Sequence, residues 1–195
     1  MQPIRWIDQS LTNQLLQKAS TTTRLRLNHN FHYTMEENPH RFLNALTMGT
    51  YIRPHRHLFP PKPESFVLLQ GALIFLIFDD TGKVNHSRVL ASADLLTLMK
   101  ESVESPTASL AELEFQKQYQ RLKPNMKTME PAFGVDIDPG LWHTLLPLTE
   151  HCVIFEVKPG PYHLADDKEF ATWAPTEADS NVSEYLQSLY SFCFE

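Results

Sequence analysis

Short apolar segments alternate with turn residues over most of the chain. Segments rich in Val, Ile, Leu and Phe and bounded by Gly, Pro or Asp are typical of β-strands. The pattern predicts strands over 43–48, 50–53, 65–69, 72–78, 84–89, 94–99, 134–137, 142–148 and 151–158. Gly71 is predicted as a turn or bulge, and 79–83 as a hairpin turn. Many short strands that do not alternate with helices predict an all-β sandwich or barrel.

Three segments carry helical periodicity or helix-forming composition instead: 8–20, 109–123 and 181–192. The middle one lies in a stretch that interrupts the β pattern and is bracketed by Pro106 and Pro124. We therefore predict a helical insertion at about 101–131 within a single domain of residues 1–195. A connection this long has a role, and a lid, an oligomer contact and a mobile loop are the three alternatives.

The extended segment 24–32 alternates strictly, so its polar side chains share one face. These side chains are Arg24, Arg26, Asn28, Asn30 and His32. Such a face is either solvated or the wall of a pocket. The alternation by itself favours solvent.

Composition narrows the class of protein. The 195 residues are 42% hydrophobic and 21% charged, as expected for a globular domain with a sizeable core. The net charge of −6, without a Lys/Arg-rich stripe, argues against nucleic acid as a partner. The two cysteines, Cys152 and Cys193, make no disulfide framework. Because no apolar stretch is long enough for a bilayer or a signal peptide, we expect a cytoplasmic protein without a membrane partner.

The candidate chemistry centres on His55 and His57. On a strand both imidazoles point to the same face, because side chains alternate with period two. Glu64 follows seven residues later, and His143 lies downstream in a turn-like context. Three imidazoles and one carboxylate form a ligand set for a transition metal. The chain has nine histidines, so a chance pair on an exposed strand is the alternative, and the other two residues weigh against it.

The spacing around these residues resembles the cupin motifs. The first motif runs Gly, five residues, His-x-His, a short spacer, Glu, six residues, Gly. It is matched here by Gly49, His55, His57, Glu64 and Gly71. The spacer between His57 and Glu64 holds six residues, which is longer than usual in cupins.

The second cupin motif is matched only in part. Gly140 and His143 stand at the expected positions. Asp138 replaces the usual Pro, and Pro147 replaces the usual Asn. The resemblance is therefore stronger in the first half of the chain.

A closer resemblance is to the WbuC family of cupin-fold metalloproteins. The resembling stretches are 26–32, 50–57, 62–64, 140–145, 155–162 and 167–177. The resemblance implies a cupin jelly-roll β-barrel in which His55, His57, Glu64 and His143 hold a divalent metal ion. Fe, Mn, Ni, Co and Zn all suit this ligand set. The association of the family with O-antigen polysaccharide genes implies a sugar or nucleotide-sugar ligand.

Further residues are candidates for contacts with a small-molecule substrate. Arg53 shares the strand parity of the ligand histidines and would suit a carboxylate or phosphate, with a salt bridge at the rim as the alternative. Lys62 is either a ligand contact or a solvated loop lysine. With the family resemblance, Asn28, Asn30 and His32 become candidates for the pocket wall.

Two residues are catalytic candidates. Tyr51 also shares the inward parity and would donate a hydrogen bond, unless it is a plain core tyrosine. Glu156 interrupts an apolar strand, where an inward carboxylate needs a partner. It would act as a general base or orient a ligand histidine, and an outward, solvated Glu156 is the alternative.

Two classes of function stay open. A metal-dependent enzyme on a small polar molecule, such as an isomerase, epimerase or oxygenase, would need the full ligand set. A non-catalytic module that binds a sugar or an acid through the metal is the alternative, because the second motif lacks its Asn. A structural β-sandwich with an incidental histidine cluster is disfavoured, since four ligands at motif spacing rarely coincide. Cupins commonly pair through edge strands, so we expect a homodimer.

Overall fold

The computed structural model describes residues 4–101, 109–163 and 167–195. The helices are α1 (Gln9–Ala19), α2 (Ala93–Glu101), α3 (Leu110–Arg121) and α4 (Val182–Cys193), with a 3-10 turn at Pro124–Lys127. The strands are β1 (Arg26–Asn30), β2 (His40–Thr47), β3 (His55–Arg56), β4 (Glu64–Gln70), β5 (Ala72–Phe78), β6 (Val84–Ala91), β7 (Gly134–Ile137), β8 (Trp142–Pro147), β9 (His151–Lys158) and β10 (Glu169–Phe170).

The strands form two antiparallel sheets of five strands each. The first sheet has the order β1-β2-β9-β4-β7, and the second has the order β10-β3-β8-β5-β6. Several strands that neighbour each other in a sheet are distant in sequence, as in β2 beside β9 and β5 beside β8. The predicted all-β class and the jelly-roll barrel are confirmed, together with the terminal helices and a helical insertion.

Alternating side chains divide each sheet into an inner and an outer face. A cluster between the two sheets fills the barrel; its buried members are Leu46, Phe66, Leu68, Leu73, Phe75, Leu90, Ile137, Leu145, Cys152 and Ile154. Helix α1 covers the outer face of the first sheet through Leu15, Leu16 and Ala19. Helices α2, α3 and α4 cover the outer face of the second sheet. Both sheets are therefore buried on both faces over much of their area.

The described part of the insertion belongs to the core. A capping box between Ser109 and Glu112 starts helix α3. Phe115, 1% exposed, and the fully buried Leu122 pack into the cluster on the outer face of the second sheet. Of the three alternatives for the insertion, this placement supports none, since α3 lies behind a sheet as part of the fold. Residues 102–108 of the predicted insertion lie outside the described residues.

The strand predicted over 94–99 is wrong, because this segment belongs to helix α2. It contains no β-branched residue besides Thr97, and its leucines and methionine are good helix formers. Asp94 stands in the first turn, where a negative charge favours the helix. Leu95 and Leu96 then bury one helical face against the second sheet.

The strand predicted over 50–53 is also not observed. The regular strand in this region is β3, which has only two residues. Pro54 has no N–H group to donate to a neighbouring strand, and the alternation of inward and outward side chains is interrupted before His55. Ile52 packs against the cluster inside the barrel, so Tyr51 and Arg53 do not share its direction. Strand β10 was not predicted, because two exposed residues carry no periodic signal.

Gly71 makes the tight connection between β4 and β5, as predicted. Its φ of +79° lies in the region that favours glycine. A Cβ atom at this position would lie 2.1 Å from the backbone oxygen of His151. Only glycine lets β9 approach this closely.

No helix within the described ranges is both long enough and apolar enough to cross a bilayer.

Two buried histidines stack at the end of the first sheet. The rings of His32 and His40 lie 4.1 Å apart with an interplanar angle of 7°. Burial lowers the pKa of His32, and the neighbouring His40 lowers it further, against smaller opposing effects of the Arg41 backbone oxygen and of Glu37. The folded protein thus disfavours the charged form of His32.

We expect acid to destabilise the fold through His32. The unfolded chain takes up this proton near pH 6.5 and the folded chain only at lower pH, so the free energy of unfolding falls as the pH decreases through this window. One full proton corresponds to about 1.4 kcal/mol per pH unit. Chemical unfolding of His32→Gln between about pH 8 and pH 5 should show a shallower slope than wild type. The exposed His86→Gln should keep the wild-type slope; equal slopes for all three proteins would contradict the assignment.

The second prediction concerns helix α3. Phe115→Ala should lower the free energy of unfolding by about 3 to 5 kcal/mol, because it opens a cavity in the core. Leu113→Ala on the same helix is the matched control, since Leu113 is 51% exposed, and should cost less than about 0.5 kcal/mol. Urea unfolding of both variants measures the difference. Similar small losses would show that the insertion is not part of the core.

Candidate metal centre

The structure brings the four predicted ligand residues together. His55, His57, Glu64 and His143 are all buried, and their ligand atoms lie within 4.8 Å of one another. His55 of β3 stands directly opposite His143 of β8 in the second sheet. Glu64 begins β4 in the first sheet, where it pairs with Ile137. The cluster therefore lies between the two sheets, inside the barrel.

Backbone carbonyl groups orient all three imidazoles in the same way. The Nδ1 atom of His55 lies 3.0 Å from the oxygen of Arg53, and that of His143 lies 2.9 Å from the oxygen of Leu141. The Nδ1 atom of His57 lies 2.5 Å from the oxygen of Asp167. A carbonyl oxygen can only accept a hydrogen bond, so the Nδ1 atom of each imidazole carries the proton and the Nε2 atom presents a lone pair. This is the tautomer that binds a metal ion through Nε2.

The lone pairs converge on a carboxylate. Glu64 Oε2 lies 3.0 Å from His57 Nε2 and 3.6 Å from His143 Nε2. All three atoms are buried, and none has a hydrogen-bond partner among the described residues. Nitrogen and carboxylate lone pairs repel at this distance unless a cation or a proton lies between them. The four donors thus fit a divalent transition-metal ion.

The long spacer of the first motif does not displace Glu64. Leu58 and Pro61 form a bridge that closes the spacer into a turn. Phe59, 76% exposed, stands at the tip of that turn. The extra residues project away from the barrel, and Glu64 returns to the side of His57.

Two members of the cluster have shifted pKa values. Burial lowers the pKa of His55 well below its usual value, and the charge of Lys168 adds to this effect. Burial works against ionisation of Glu64, but its polar surroundings, including the hydrogen bond from Glu156, hold its pKa well below the usual range. The cluster therefore holds a neutral imidazole and a charged carboxylate, the forms that bind metal ions.

Glu156 faces inward and supports Glu64. It lies on β9, is 6% exposed, and hydrogen-bonds to Glu64 and to the amide of Asn44. Burial and the charge of Glu64 raise the pKa of Glu156 well above its usual value. The outward orientation is therefore excluded. Glu156 contacts another carboxyl group rather than a ligand histidine, and its raised pKa favours the protonated form.

A group of charged residues surrounds Asp167, whose backbone oxygen holds His57. Lys158 Nζ lies 3.2 Å from Asp167 Oδ2, and Lys62 Nζ lies 3.9 Å from Asp167 Oδ1. Lys62 also donates to the backbone oxygen of Pro161 at 2.7 Å. Lys62 is 5% exposed, so the alternative of a solvated loop lysine is wrong.

The sequence interpretation missed Asp167, Lys158, Lys168 and Asn44. Burial opposes the charge of Lys158, but Glu156, Glu64 and Asp167 outweigh burial and raise its pKa. Burial lowers the pKa of Lys168, and the nearby Lys158 lowers it further. Lys158 and Asp167 both stand in stretches that resemble the WbuC family, which was the available signal.

Arg53 and Tyr51 do not point into the cluster as the strand parity predicted. Arg53 donates to the backbone oxygen of Ala171 at 2.6 Å and lies over the ring of Phe170, 5.4 Å from its centroid. Tyr51 donates to the backbone oxygen of Pro175 at 2.8 Å. The inward orientation fails because the regular strand starts only at His55. Arg53 still lies near the site, because Phe170 is 6.2 Å from the ring of His55.

The polar face of β1 continues toward Glu156. Asn28 stands opposite Asn44, and Asn30 stands opposite Phe42. Both asparagines are exposed on the edge strand, on the same face as Glu156. His32 lies beyond the end of β1 and is buried against His40, so it does not share their exposed position.

His55 opposite His143 of β8, His57 next to β3 and Glu64 from the facing sheet complete the arrangement that the cupin motifs predict. The chain has a cupin fold. The order of the strands and the placement of the motif residues within the barrel define this fold.

Residues 7–90 match a family described as a domain of unknown function (DUF6016). No curated protein matches the chain. Similar solved structures include the capsular polysaccharide assembling protein CapF from Staphylococcus aureus, with 13% identity and a TM-score of 0.48; the match covers 77% of this chain and 32% of CapF. The chain therefore spans about a third of the length of CapF.

Two further structures are similar at the same level. An uncharacterized conserved protein with a double-stranded β-helix domain, from Klebsiella pneumoniae subsp. pneumoniae, has 11% identity and a TM-score of 0.45, and the match covers 86% of this chain and 97% of that protein. An oxalate oxidase in complex with the substrate analogue glycolate has 11% identity and a TM-score of 0.46, with 89% of this chain and 76% of that protein covered.

The protonated state of Glu156 leads to a prediction about stability. Glu156→Gln should fold with a free energy of unfolding within about 1 kcal/mol of wild type, because a neutral amide resembles a neutral acid. Glu156→Ala should cost about 1 to 3 kcal/mol more, because it leaves Asn44 without its partner in a buried site. Urea unfolding of metal-stripped protein compares the two. A Gln variant as unstable as the Ala variant would mean that Glu156 is needed as an anion.

Proposed function

We propose that this protein is a WbuC-family cupin metalloprotein that binds a divalent metal ion through His55, His57, Glu64 and His143. We further propose that it acts on a small polar molecule, a sugar or nucleotide sugar of surface polysaccharide biosynthesis. Residues 1–195 would form one functional domain. The cytoplasmic location and the homodimer stay predictions of the sequence.

One observation carries the metal proposal. Three imidazoles donate their Nδ1 protons to backbone carbonyl groups and direct their Nε2 atoms to the region of Glu64 Oε2. The Nε2 atoms of His57 and His143 are buried without a hydrogen-bond partner in the described part of the chain. Burying unpaired acceptors costs free energy, and a bound cation would offset that cost. The fixed tautomers favour a metal ion over a shared proton.

The ligand set leaves coordination positions free for a substrate. Four protein ligands do not fill the coordination sphere of a six-coordinate ion such as Fe²⁺, Mn²⁺, Ni²⁺ or Co²⁺, and Zn²⁺ can add a ligand. When bound, such an ion supplies Lewis acidity toward a substrate oxygen and lowers the pKa of a bound water.

The residues around the ligands have separate tasks. Glu156 holds a proton on its carboxyl group next to Glu64, and it can pass this proton to a group that binds there. Phe75 lies 5.8 Å from the ring of His143, and with Phe66 it forms an apolar floor that excludes water. Asn28 and Asn44 offer amide groups on the inner face of the first sheet, which suits a ligand with several hydroxyl groups.

The non-catalytic binding module is the second candidate, and Pro147 favours it. The second cupin motif usually has Asn here, whereas Pro147 lies in β8 opposite Leu73 and offers no donor. An enzyme would turn over a sugar or nucleotide sugar in the presence of the metal. A binding module would be stabilised by the same compound without product.

Elemental analysis tests the metal proposal. Purified wild-type protein, or protein reconstituted with each candidate ion, should hold about one ion per chain. His55→Ala and His143→Ala should reduce affinity for the ion at least about 100-fold, because each removes one ligand. His86→Ala changes an exposed histidine and should keep wild-type affinity. A wild-type protein that takes up no ion from any of the five metals would refute the proposal.

A further inference from the structure

Three lysine side chains gather around one carboxylate beside the proposed metal centre. Lys158 and Lys62 lie 3.2 Å and 3.9 Å from the oxygens of Asp167, and Lys168 lies 4.0 Å from Oδ2. The side chains of Lys62, Lys158 and Asp167 are at least nine-tenths buried. Lys168 is the partly exposed member, with 32% of its side chain accessible. We call these four residues the lysine cluster.

The charges of the lysine cluster do not balance. Within the described part of the chain, Asp167 is the one carboxylate within 4.0 Å of these three ammonium groups. Three ammonium groups therefore share one carboxylate at contact distance, and Glu64 acts on Lys158 only from further away. Buried charges in proteins are normally paired, because an unpaired one costs several kcal/mol. A second anion in this place would remove the imbalance.

The hydrogen-bond donors of the lysines are also mostly unused. Each ammonium group carries three N–H donors. The hydrogen bonds found for the three side chains are one from Lys62 to Pro161 and one from Lys158 to Asp167, counting partners among the described residues only. Asp167 Oδ1 is buried and has no hydrogen-bond partner of its own there. The cluster thus has donors left for the oxygens of a ligand.

The lysine cluster adjoins the metal ligands on two sides. The backbone oxygen of Asp167 accepts the Nδ1 proton of His57. Lys62 precedes Glu64 by two residues, and Lys158 follows Glu156 by two residues on the inner face of β9. A molecule that binds the metal ion would therefore have the ammonium groups next to it.

We propose that Lys62, Lys158 and Lys168 form a subsite for an anionic group, a carboxylate or a phosphate, of the molecule that the metal centre binds. The inference rests on the proposed function and narrows its ligand from a polar molecule to an acid, such as a sugar acid, a sugar phosphate or a nucleotide sugar. Asp167 partly neutralises the ammonium groups in the absence of the ligand and competes with it for them. The ligand anion supplies the charge that Asp167 alone does not.

The test is isothermal titration calorimetry with two small anions. Malonate probes for a carboxylate and inorganic phosphate for a phosphate, and glycerol serves as a neutral compound. Each is titrated into metal-loaded and metal-stripped protein. The substitutions leave the metal ligands in place, so they do not change direct binding of the anion to the metal ion. They change only the binding of the anion to the lysine cluster. The anion that binds more tightly shows whether the anionic group of the ligand is a carboxylate or a phosphate.

Two sets of substitutions should change affinity in opposite directions. Lys62→Met and Lys158→Met should each raise the Kd of the anion about tenfold, because each removes a charged donor. Asp167→Asn should lower the Kd about tenfold, because it removes the competing carboxylate while leaving the backbone oxygen that holds His57. Lys83→Met removes an equal charge from an exposed turn and should leave the Kd unchanged.

Lys168→Met keeps the test decisive if the buried substitutions do not fold. Lys168 is partly exposed, so the Lys168→Met variant should fold, and the Kd of the anion should still rise severalfold. Any one of three results would overturn the inference. The folded lysine variants could bind the anion as tightly as wild type does, the Asp167→Asn variant could bind it no more tightly than wild type, or the wild-type protein could bind neither anion.

Metal content measured on the same samples separates this inference from the metal proposal. Lysine-dependent anion binding by a protein that takes up no ion would overturn the metal proposal and support the subsite. A metal-loaded protein whose anion affinity ignores the lysines would do the reverse.

Discussion

The bond between each ligand imidazole and a backbone carbonyl group is the interaction on which the site depends. It decides which nitrogen keeps its proton, and so it decides that the free lone pairs face Glu64. Those carbonyl groups belong to the extended chain before β3, the turn before β8 and the segment before β10. The barrel therefore supplies the chemistry of the histidines as well as their positions. Another metal-binding side chain could replace a histidine, but the orientation of the imidazole rings comes from the backbone carbonyl groups.

The second constraint is electrostatic. Within one end of the barrel lie two carboxyl groups in contact, Glu64 and Glu156, and three ammonium groups around Asp167. The two carboxyl groups cannot both be charged at this distance, so one stays protonated. The ammonium groups then set the sign of the potential near the metal ligands. Such a site favours an anionic ligand over a neutral ligand of the same shape.

Much of the fold and of the candidate centre could be predicted from the sequence, for local reasons. Strand β5 is an uninterrupted apolar run, and the observed bounds of β5, β7 and β9 match the predicted ones. The four ligand residues stand at motif spacing, and spacing is visible in a sequence. Arg53 shows the limit, because its direction depends on where a two-residue strand starts next to Pro54. Asp167 and Lys158 were missed because neither has a local pattern; their role arises from contacts between distant segments.

The ligands of the centre come from both sheets: His55 and His143 belong to the second sheet, His57 directly follows β3 of that sheet, and Glu64 belongs to the first. An ion held by all four would act as a clamp across the barrel. By mass action, a ligand that binds only the folded chain adds to the free energy of unfolding, by about 2.7 kcal/mol at a hundred times its Kd. The melting temperature of this protein would therefore report how fully its centre is loaded. Preparations that differ only in trace metal would differ in apparent stability, without any change in their packing.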